Sequence, residues 1–307
     1  MKYKNVVIFA LLSAAVPVAL FLVLRPHPIV TRMPSSPTEK PRLLYKFGGE
    51  EKKPLNQPMD LAVGPDERVY VTDTGNAMIK VFSKNGHLLY GFGKKGTNPG
   101  EFGYPYGILL LRNGNLLIAD SLNQNLQEFD IKGKYIRTWF DNKQKIKPGA
   151  LAQDSKGNIY ISDLANHQVL VMSQEGVFGK RITSKPEGLL YPQGIALDKT
   201  GFIWIADSGH LQVKQINAQG IIKSVLWGIN DSISFSTVRG IAVDNLDRIF
   251  VTDPLSGKVA VFNDQRKTLF TLKGSFFYPS GIRISHDGKI FIINRGTGDI
   301  QVWGYKA

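Results

Sequence analysis

After residue 42 the chain alternates short apolar runs with turns rich in Gly, Asn and Asp. Runs such as RVYVTD, NIYISD, FIWIAD and RIFVTD are rich in β-branched and aromatic residues, which is typical of short β-strands bounded by turns. The apolar positions in this region show no helical periodicity. The pattern therefore predicts an all-β domain made of many short strands.

These strands repeat as units of constant internal geometry. A residue with a carboxyl or amide side chain ends the second strand of each unit, and an aliphatic residue follows six positions later. The spacing is close to the length of one propeller blade, about 40–45 residues in four short strands. The residues that end the second strands are Asp73, Asp120, Asp163, Asp207, Asp253 and Asn294.

The two ends of this region complement each other. The sixth unit supplies three strands and stops after DIQVWGY, whereas an extra strand, LLYKFGG at 43–49, precedes the first unit. An N-terminal strand that completes the last blade closes the ring and removes exposed edges. The sequence thus predicts a six-bladed β-propeller over residues 42–307, with four-stranded blades and an N-terminal strand closing the last blade.

The N-terminal segment has a different pattern. Residues 5–24 form twenty uncharged, mostly apolar residues, enough for a helix of about 30 Å, the thickness of a bilayer's hydrocarbon core. Lys2 and Lys4 favour a cytoplasmic N-terminus, although Arg25 and Arg32 weaken that inference. We predict an N-terminal membrane anchor over residues 1–24, a single pass, with the propeller on the extracytoplasmic side of the cell membrane.

A cleaved signal peptide is the alternative for this segment. Such a peptide has an apolar region of about 7–15 residues that ends at a small-x-small site. Here the run is longer and ends in Leu-Arg-Pro-His-Pro, which favours an uncleaved anchor. Residues 25–41 contain five prolines and no apolar periodicity, so we expect a stiff, extended linker.

The repeat itself resembles a known family. The stretch GFGKKGTNPGEFGYPYGI at 91–108, followed by NLLIADSLNQNLQEF, is similar to the NHL repeat, and all six units carry the pattern to some degree. The Asn-His-Leu signature is only partly present, with a histidine in its second position only at His167. The resemblance implies a six-bladed propeller; it indicates function weakly, because this fold hosts several roles.

Composition narrows the possible chemistry. The chain has no cysteine, which excludes disulfides, thiolate metal sites and cysteine nucleophiles. The formal net charge is +13, which favours anionic partners. The strand-end aspartates are interpreted as structural residues that cap the turns with their side chains.

A catalytic metal is not predicted. The resemblance includes lyases that hold a metal with several histidines in the central cavity, and lactonase-like enzymes that bind calcium through Glu, Asn and Asp. His167 and His210 occupy equivalent loops of neighbouring blades and are weak metal candidates, but a zinc site needs three or four ligands. No cofactor is predicted.

Cations are the main candidates for binding. Arg239 and Arg283 occupy innermost strands where sister units carry small or apolar residues. Arg295 directly follows Asn294, the residue that replaces the strand-end aspartate in one unit. Arginines near the channel suit a carboxylate or phosphate, although each could also pair with a nearby acid. The blade-joining loops add a weakly basic patch of Lys94, Lys95, Lys143, Lys145 and Lys147.

Together these features predict a non-catalytic binding or scaffolding module that engages a protein or peptide through a propeller face, with an anionic cell-surface polymer as a second partner class. The first alternative is a lyase or lactonase-like hydrolase acting in the central channel. The second is nucleic-acid binding by a basic face, as the resemblance implies for some cytoplasmic relatives. The predicted topology opposes this second alternative. Single-strand recognition also needs exposed aromatic residues for base stacking, and Tyr104, Tyr191 and Tyr278 each precede the proline that starts a unit (the repeat proline), a placement that we interpret as structural.

Overall fold

The structure is a computed structural model that describes residues 31–48, 54–140, 145–183, 188–230 and 233–306. These residues form a short two-stranded hairpin and six larger β-sheets, and the first strands of the six contact one another in cyclic order, the sixth returning to the first. The predicted six-bladed propeller is therefore confirmed. The predicted anchor over residues 5–24 lies outside the described residues, and within them no helix is long and apolar enough to cross a membrane.

Two strands precede the first blade, β1 (Thr31–Arg32) and β2 (Arg42–Phe47). The strands of the first three blades are β3 (Leu61–Val63), β4 (Val69–Asp73), β5 (Met78–Phe82) and β6 (Leu88–Phe92); β7 (Pro105–Leu110), β8 (Leu116–Asp120), β9 (Asn125–Phe129) and β10 (Tyr135–Phe140); and β11 (Pro148–Gln153), β12 (Ile159–Asp163), β13 (Gln168–Met172) and β14 (Phe178–Ile182). Each blade is antiparallel, with strands in chain order from the centre outward.

The fourth blade is followed by a short hairpin that precedes the fifth. The remaining strands are β15 (Pro192–Leu197), β16 (Ile203–Asp207), β17 (Gln212–Ile216) and β18 (Ile222–Leu226); the hairpin β19 (Gly228–Asn230) and β20 (Ile233–Ser234); β21 (Ile241–Val243), β22 (Ile249–Asp253), β23 (Lys258–Phe262) and β24 (Thr268–Thr271); and β25 (Pro279–Ile284), β26 (Ile290–Asn294) and β27 (Asp299–Lys306). Short 3₁₀ helices occupy Thr74–Asn76 and Ser208–His210.

The second strand of every blade is buried along its whole length. Such a strand packs against neighbouring blades on both sides, which explains why its sequence is nearly continuous in apolar residues. Each pair of adjacent blades shares one buried apolar cluster, including the pair formed by the sixth and first blades. The hydrophobic core is thus a ring of six interfaces between blades.

The ring closes as the sequence predicted. Strand β2 pairs with β27 as the outer strand of the last blade, with Arg42 opposite Gly304 and Phe47 opposite Ile300. Phe47 and Ile300 both belong to the buried cluster between the sixth and first blades. An N-terminal and a C-terminal strand therefore complete one sheet, which covers the edge that either would leave open alone.

The second half of the predicted linker is not a free spacer. Residues 31–41, here called the pre-propeller segment, lie against the propeller: Thr31 and Arg32 pair with the end of β27. The buried guanidinium of Arg248 donates to the carbonyl oxygens of Pro37 (3.3 Å) and Glu39 (3.1 Å). Sequence alone missed this packing because its main partner, Arg248, lies more than 200 residues away.

Glycines in the first strands, or directly before them, let neighbouring blades approach closely around the channel. A Cβ atom at Gly107 would lie 2.2 Å from the carbonyl oxygen of Gly149, and one at Gly240 would lie 2.1 Å from that of Ser280. These distances are shorter than any real Cβ contact, and the clashing atoms belong to the backbone. Glycine at these positions therefore sets the narrow diameter of the channel.

Candidate functional site

The loops lie on two faces of the ring. The upper face carries the loops between blades and the loops between second and third strands, and the lower face carries the other turns. The channel between the first strands opens to a cavity of about 350 Å³ on the upper face and to one of about 720 Å³ on the lower face. Between them the channel narrows to a space of about 20 Å³ lined by Arg239, Arg283 and Asp60.

The strand-end aspartates hold the upper-face loops. Asp120, for example, accepts hydrogen bonds from the backbone N–H groups of Gly103 (2.7 Å) and Tyr104 (2.8 Å) in the loop that enters its own blade. It also accepts from the backbone N–H of Asn123 (3.1 Å) in the loop that follows. Each equivalent residue is almost wholly buried and accepts a backbone N–H from the incoming loop; these are Asp73, Asp163, Asp207, Asp253 and Asn294.

In two blades a buried lysine supports this arrangement. Lys80 Nζ lies 3.1 Å from Asp73 Oδ2, and Lys214 Nζ lies 2.7 Å from Asp207 Oδ2. Both lysines are buried. Each lysine also donates to a backbone carbonyl of the incoming loop, that of Pro54 (3.2 Å) or Gly188 (2.8 Å). A buried glutamine makes the same carbonyl bond in blades two and six: Gln127 to Glu101 and Gln301 to Ser275, each at 2.8 Å.

The two histidines proposed as weak metal candidates each have a partner of their own. His210 Nδ1 lies 2.8 Å from Asp207 Oδ2, which is itself paired with Lys214. His167 Nδ1 accepts the backbone N–H of Tyr191 at 3.2 Å, and its ring stacks edge-on against the Tyr191 ring. Within the described ranges, no group of three or more His, Asp or Glu residues is arranged to hold a metal ion.

Arg283 is paired with an acid inside the channel. Its Nη2 atom lies 2.6 Å from Asp60 Oδ2, and Asp60 also accepts the backbone N–H groups of Leu61 (2.9 Å) and Ile108 (3.3 Å). Burial raises the pKa of the Asp60 carboxyl, while the Arg283 charge and the two N–H groups act in the opposite direction. The two charges of this pair therefore offset each other at the constriction.

Arg239 has a different environment. It is half-buried, and its Nη2 atom lies 3.4 Å from both Tyr106 Oη and Met59 Sδ, while the guanidinium stands 5.7 Å from the centre of the Tyr106 ring. The Tyr106 hydroxyl in turn donates to Gln193 Oε1 at 3.2 Å. No carboxylate among the described residues lies within ion-pair distance of Arg239.

The upper cavity has apolar and aromatic walls with two cations. Its walls are formed mainly by Tyr104, Tyr106, Leu122, Leu164, Tyr191 and Gln193, and its cations are Arg239 and Lys147. Among the described residues, no acidic side chain lines it. A cavity of this size and composition can accept one apolar group together with an anion.

The other predicted cations do not converge on the cavity. Arg295 lies on the upper face, where its Nη2 donates to Gln57 Oε1 (2.8 Å) and its guanidinium stands over the Tyr278 ring. Lys94 pairs with Glu101 at 3.2 Å, and Lys95 and Lys145 are exposed on the same face. Lys143 lies outside the described residues. Of the described lysines in the predicted patch, only Lys147 lines the cavity.

Exposed apolar side chains lie on the upper-face loops, and two of them, Leu122 and Tyr191, line the cavity. Leu122, Leu255 and Phe277 are 65%, 67% and 66% exposed, and Tyr191 and Leu211 are also exposed. Leu122, Leu211 and Leu255 follow second strands, whereas Tyr191 and Phe277 lie in blade-joining loops. The lower-face turns expose fewer such residues, notably Val177 and Ile221.

Several of the residues that shape the cavity were not singled out by the sequence. The tyrosines before the repeat prolines were interpreted as structural, yet Tyr104 and Tyr191 line the cavity wall. Tyr106 and Gln193 were not predicted, because the residue type at this position of the first strand differs from unit to unit. The available signal was that each follows a repeat proline by one residue, a position that the fold turns toward the channel.

Comparison with known proteins agrees with this architecture. Residues 54–140 match the family described as 6-bladed beta-propeller, and residues 189–216 match the NHL repeat. Protein brain tumor of Drosophila melanogaster is 26% identical over 149 residues, which are 47% of this chain and 14% of that protein. NHL repeat-containing protein 3 of Mus musculus is 26% identical over 173 residues, 52% of this chain and 50% of that protein.

The aligned part thus spans half or less of the length of these relatives. Among solved structures, virginiamycin B lyase from Staphylococcus aureus superimposes with a TM-score of 0.63 over 86% of this chain and 84% of its own, at 14% identity. At that identity the likeness concerns the fold alone. The family matches, the NHL-repeat relatives and the closed ring of six blades together identify the chain as a six-bladed β-propeller built from NHL-type repeats.

Proposed function

We propose that this propeller is a non-catalytic binding module that engages a protein or peptide partner through its upper face. The observation that carries the proposal is the set of exposed apolar side chains on the upper-face loops, with Leu122, Leu255 and Phe277 each about two-thirds exposed. Exposed apolar side chains surrounded by polar residues are typical of protein interaction sites. NHL-repeat propellers commonly act in this way, which supports the same assignment.

Charge on the same face is compatible with this role. Exposed lysines lie on the same face as the exposed apolar residues, and protein interfaces combine an apolar centre with a polar rim. An anionic surface polymer would bind the lysines and make no contact with the apolar residues. The apolar residues therefore favour a protein or peptide over a polymer as the partner.

We further propose that residues 5–24 anchor the protein in a membrane, with the propeller on the extracytoplasmic side. The pre-propeller segment supports a particular orientation, because it contacts Arg248 and Asp287 in lower-face turns. A chain that leaves the propeller there would place the lower face toward the membrane. The upper face would then point away from the bilayer and remain accessible to a partner.

The function is tested by purifying the full-length protein from native membranes in mild detergent and identifying co-eluting proteins by mass spectrometry. Leu122→Asp, Leu255→Asp and Phe277→Asp are combined in one variant, and Val177→Asp and Ile221→Asp in a lower-face control. All five positions are exposed, so both variants are expected to fold. We expect a stoichiometric companion that the upper-face variant loses and the control retains. Equal recovery by both variants would refute an upper-face interface.

A further inference from the structure

Arg239 differs from Arg283 in the channel and from Arg248 on the lower face. Arg283 and Arg248 each lie 2.6 Å from a carboxylate, Asp60 and Asp244 respectively. Arg239, although half-buried, meets only uncharged partners among the described residues, through a single nitrogen atom. A cation withdrawn from water without an anion is unfavourable, so this position gains free energy when an anion arrives from solution.

The position of Arg239 determines the direction from which that anion can come. The residue lines both the upper cavity and the narrow part of the channel. The space beyond it measures about 20 Å³, which is room for about one water molecule and too small for a carboxylate or an apolar group. A ligand can therefore reach the guanidinium only from the upper face and stops there.

The walls indicate what accompanies the anion. Leu122, Leu164 and the aromatic rings of Tyr104 and Tyr191 are the main surfaces of the cavity, and they offer apolar contact rather than further positive charge. Within the part of the chain that the structure describes, Lys147 is the only other cation in the lining. A phosphate bound without apolar contacts would leave these walls unused. A carboxylate attached to one apolar group uses both the cation and the walls.

Hydrogen-bond donors for such a ligand are present and held in place. Arg239 Nε and Nη1 make no hydrogen bond within the described part of the chain. The Gln193 amide oxygen accepts from Tyr106, which leaves the amide nitrogen of Gln193 available as a donor. Because Tyr106 contacts both residues, the two donors form one connected unit.

We infer that the upper cavity binds a carboxylate carried by an apolar group, with Arg239 as its charge partner. This inference rests on the proposed function, since it assigns the chemistry recognised at the centre of the interaction face. The carboxylate can belong to the C-terminus of a peptide that ends in an apolar residue or to a small apolar acid. A peptide also reaches the exposed apolar residues around the cavity, and a small acid does not.

The test is a ligand-observed NMR titration of the full-length protein in mild detergent. The probes are the acetylated peptide Gly-Gly-Leu with a free C-terminus, its C-terminal amide, 4-methylpentanoate and 4-methylpentanamide. Because a charge-assisted hydrogen bond is lost, we expect each amide to bind at least about tenfold more weakly than its acid. Tighter binding of the peptide than of 4-methylpentanoate identifies a peptide C-terminus as the source; equal binding identifies a small acid.

Variants locate the binding to the cavity. Arg239→Gln should weaken the acids at least about tenfold and leave the amides unchanged. Arg295→Gln is the matched control, because it removes an arginine of the same face outside the cavity and should change neither. If Arg239→Gln does not fold, Lys147→Gln replaces an exposed side chain and should still weaken the acids selectively. Equal binding of acids and amides, or no binding of either acid, would overturn the inference.

These outcomes are separable from those of the proposed function. The titration needs no partner protein, so its failure leaves upper-face capture of a partner untouched. Conversely, selective binding of the acids together with no upper-face partner would retain the cavity assignment and refute the protein-binding role.

Discussion

At the residue scale, the buried polar position in the third strand explains how the upper-face loops are held. Lys80 and Lys214 fill it in two blades, and Gln127 and Gln301 fill it in two others. All four donate to a carbonyl oxygen of the incoming loop, so the hydrogen bond is retained while the charge varies. Where lysine is used, its charge also offsets the buried strand-end aspartate.

This interpretation predicts unequal effects for two substitutions at Lys214. Lys214→Met should lower the free energy of unfolding by about 3–5 kcal/mol, because Asp207 keeps its buried charge without the cation. Lys214→Gln should cost less, since glutamine can still donate to the Gly188 carbonyl. Chemical denaturation measures both, with exposed Lys267→Met as the control. Similar losses for Met and Gln would contradict this account.

The residue scale is also where sequence reasoning reached its limit. The sequence suggested that Arg239 and Arg283 could each pair with an acid; only Arg283 does so among the described residues, and its partner Asp60 lies 223 residues away in the chain. Closure of the ring brings Arg283 and Asp60 together, and no local sequence pattern indicates this contact. The strand-end aspartates could be placed from sequence because their bonds depend on turns within the repeat.

At the element scale, the approach of neighbouring first strands depends on glycine. Gly240→Ala should therefore be destabilising, because its Cβ would meet the Ser280 carbonyl oxygen at 2.1 Å. We expect a loss of about 1–3 kcal/mol in the free energy of unfolding. Gly179→Ala in an outer strand is the matched control, since its Cβ would lie 3.6 Å from its nearest neighbour. Equal stability of the two variants would show that the channel can widen without cost.

The pre-propeller segment is a second element whose docking can be tested. Arg248→Met removes two hydrogen bonds to the backbone of the pre-propeller segment and leaves Asp244 without the arginine that pairs with it. We expect amide hydrogens of residues 33–41 to exchange faster in this variant, with little change in strands of the opposite blades. Hydrogen-exchange mass spectrometry measures this, with Lys267→Met as the control. Unchanged protection of residues 33–41 would show that Arg248 does not hold the segment.

Acid should loosen the same segment at an unusually low pH. The Arg32 guanidinium and the N–H and hydroxyl of Ser35 bind the Glu39 carboxylate and lower its pKa to about 2. A depressed pKa means that the contribution to stability is present above the ordinary value of about 4.3 and is lost as the pH falls through about 2. NMR titration of ¹³C-labelled glutamate should show this, and Arg32→Gln should raise the value. A Glu39 that titrates near 4.3 in the native protein would contradict the pairing.

At the scale of the whole molecule, the repeat made the fold predictable. A constant offset within units of variable length indicated six blades, and the extra strand at 43–49 indicated how the ring closes; the pairing of β2 with β27 confirms it. The packing of residues 31–41 on the lower face was not predictable, since proline-rich sequence suggested only an extended chain. The cavity was not predictable from the sequence either, because residues of several blades, far apart in the chain, form its walls.

The central claim is that the upper face is the interaction face, and photo-crosslinking in cells that produce the full-length protein tests it most directly. p-Benzoylphenylalanine replaces Leu122, Leu255 or Phe277 on the upper face and Val177 on the lower face, four positions that are 65% to 67% exposed. The account predicts the same discrete covalent adduct from the three upper positions and none from Val177. An adduct from Val177 alone, or no adduct from any upper position, would contradict it.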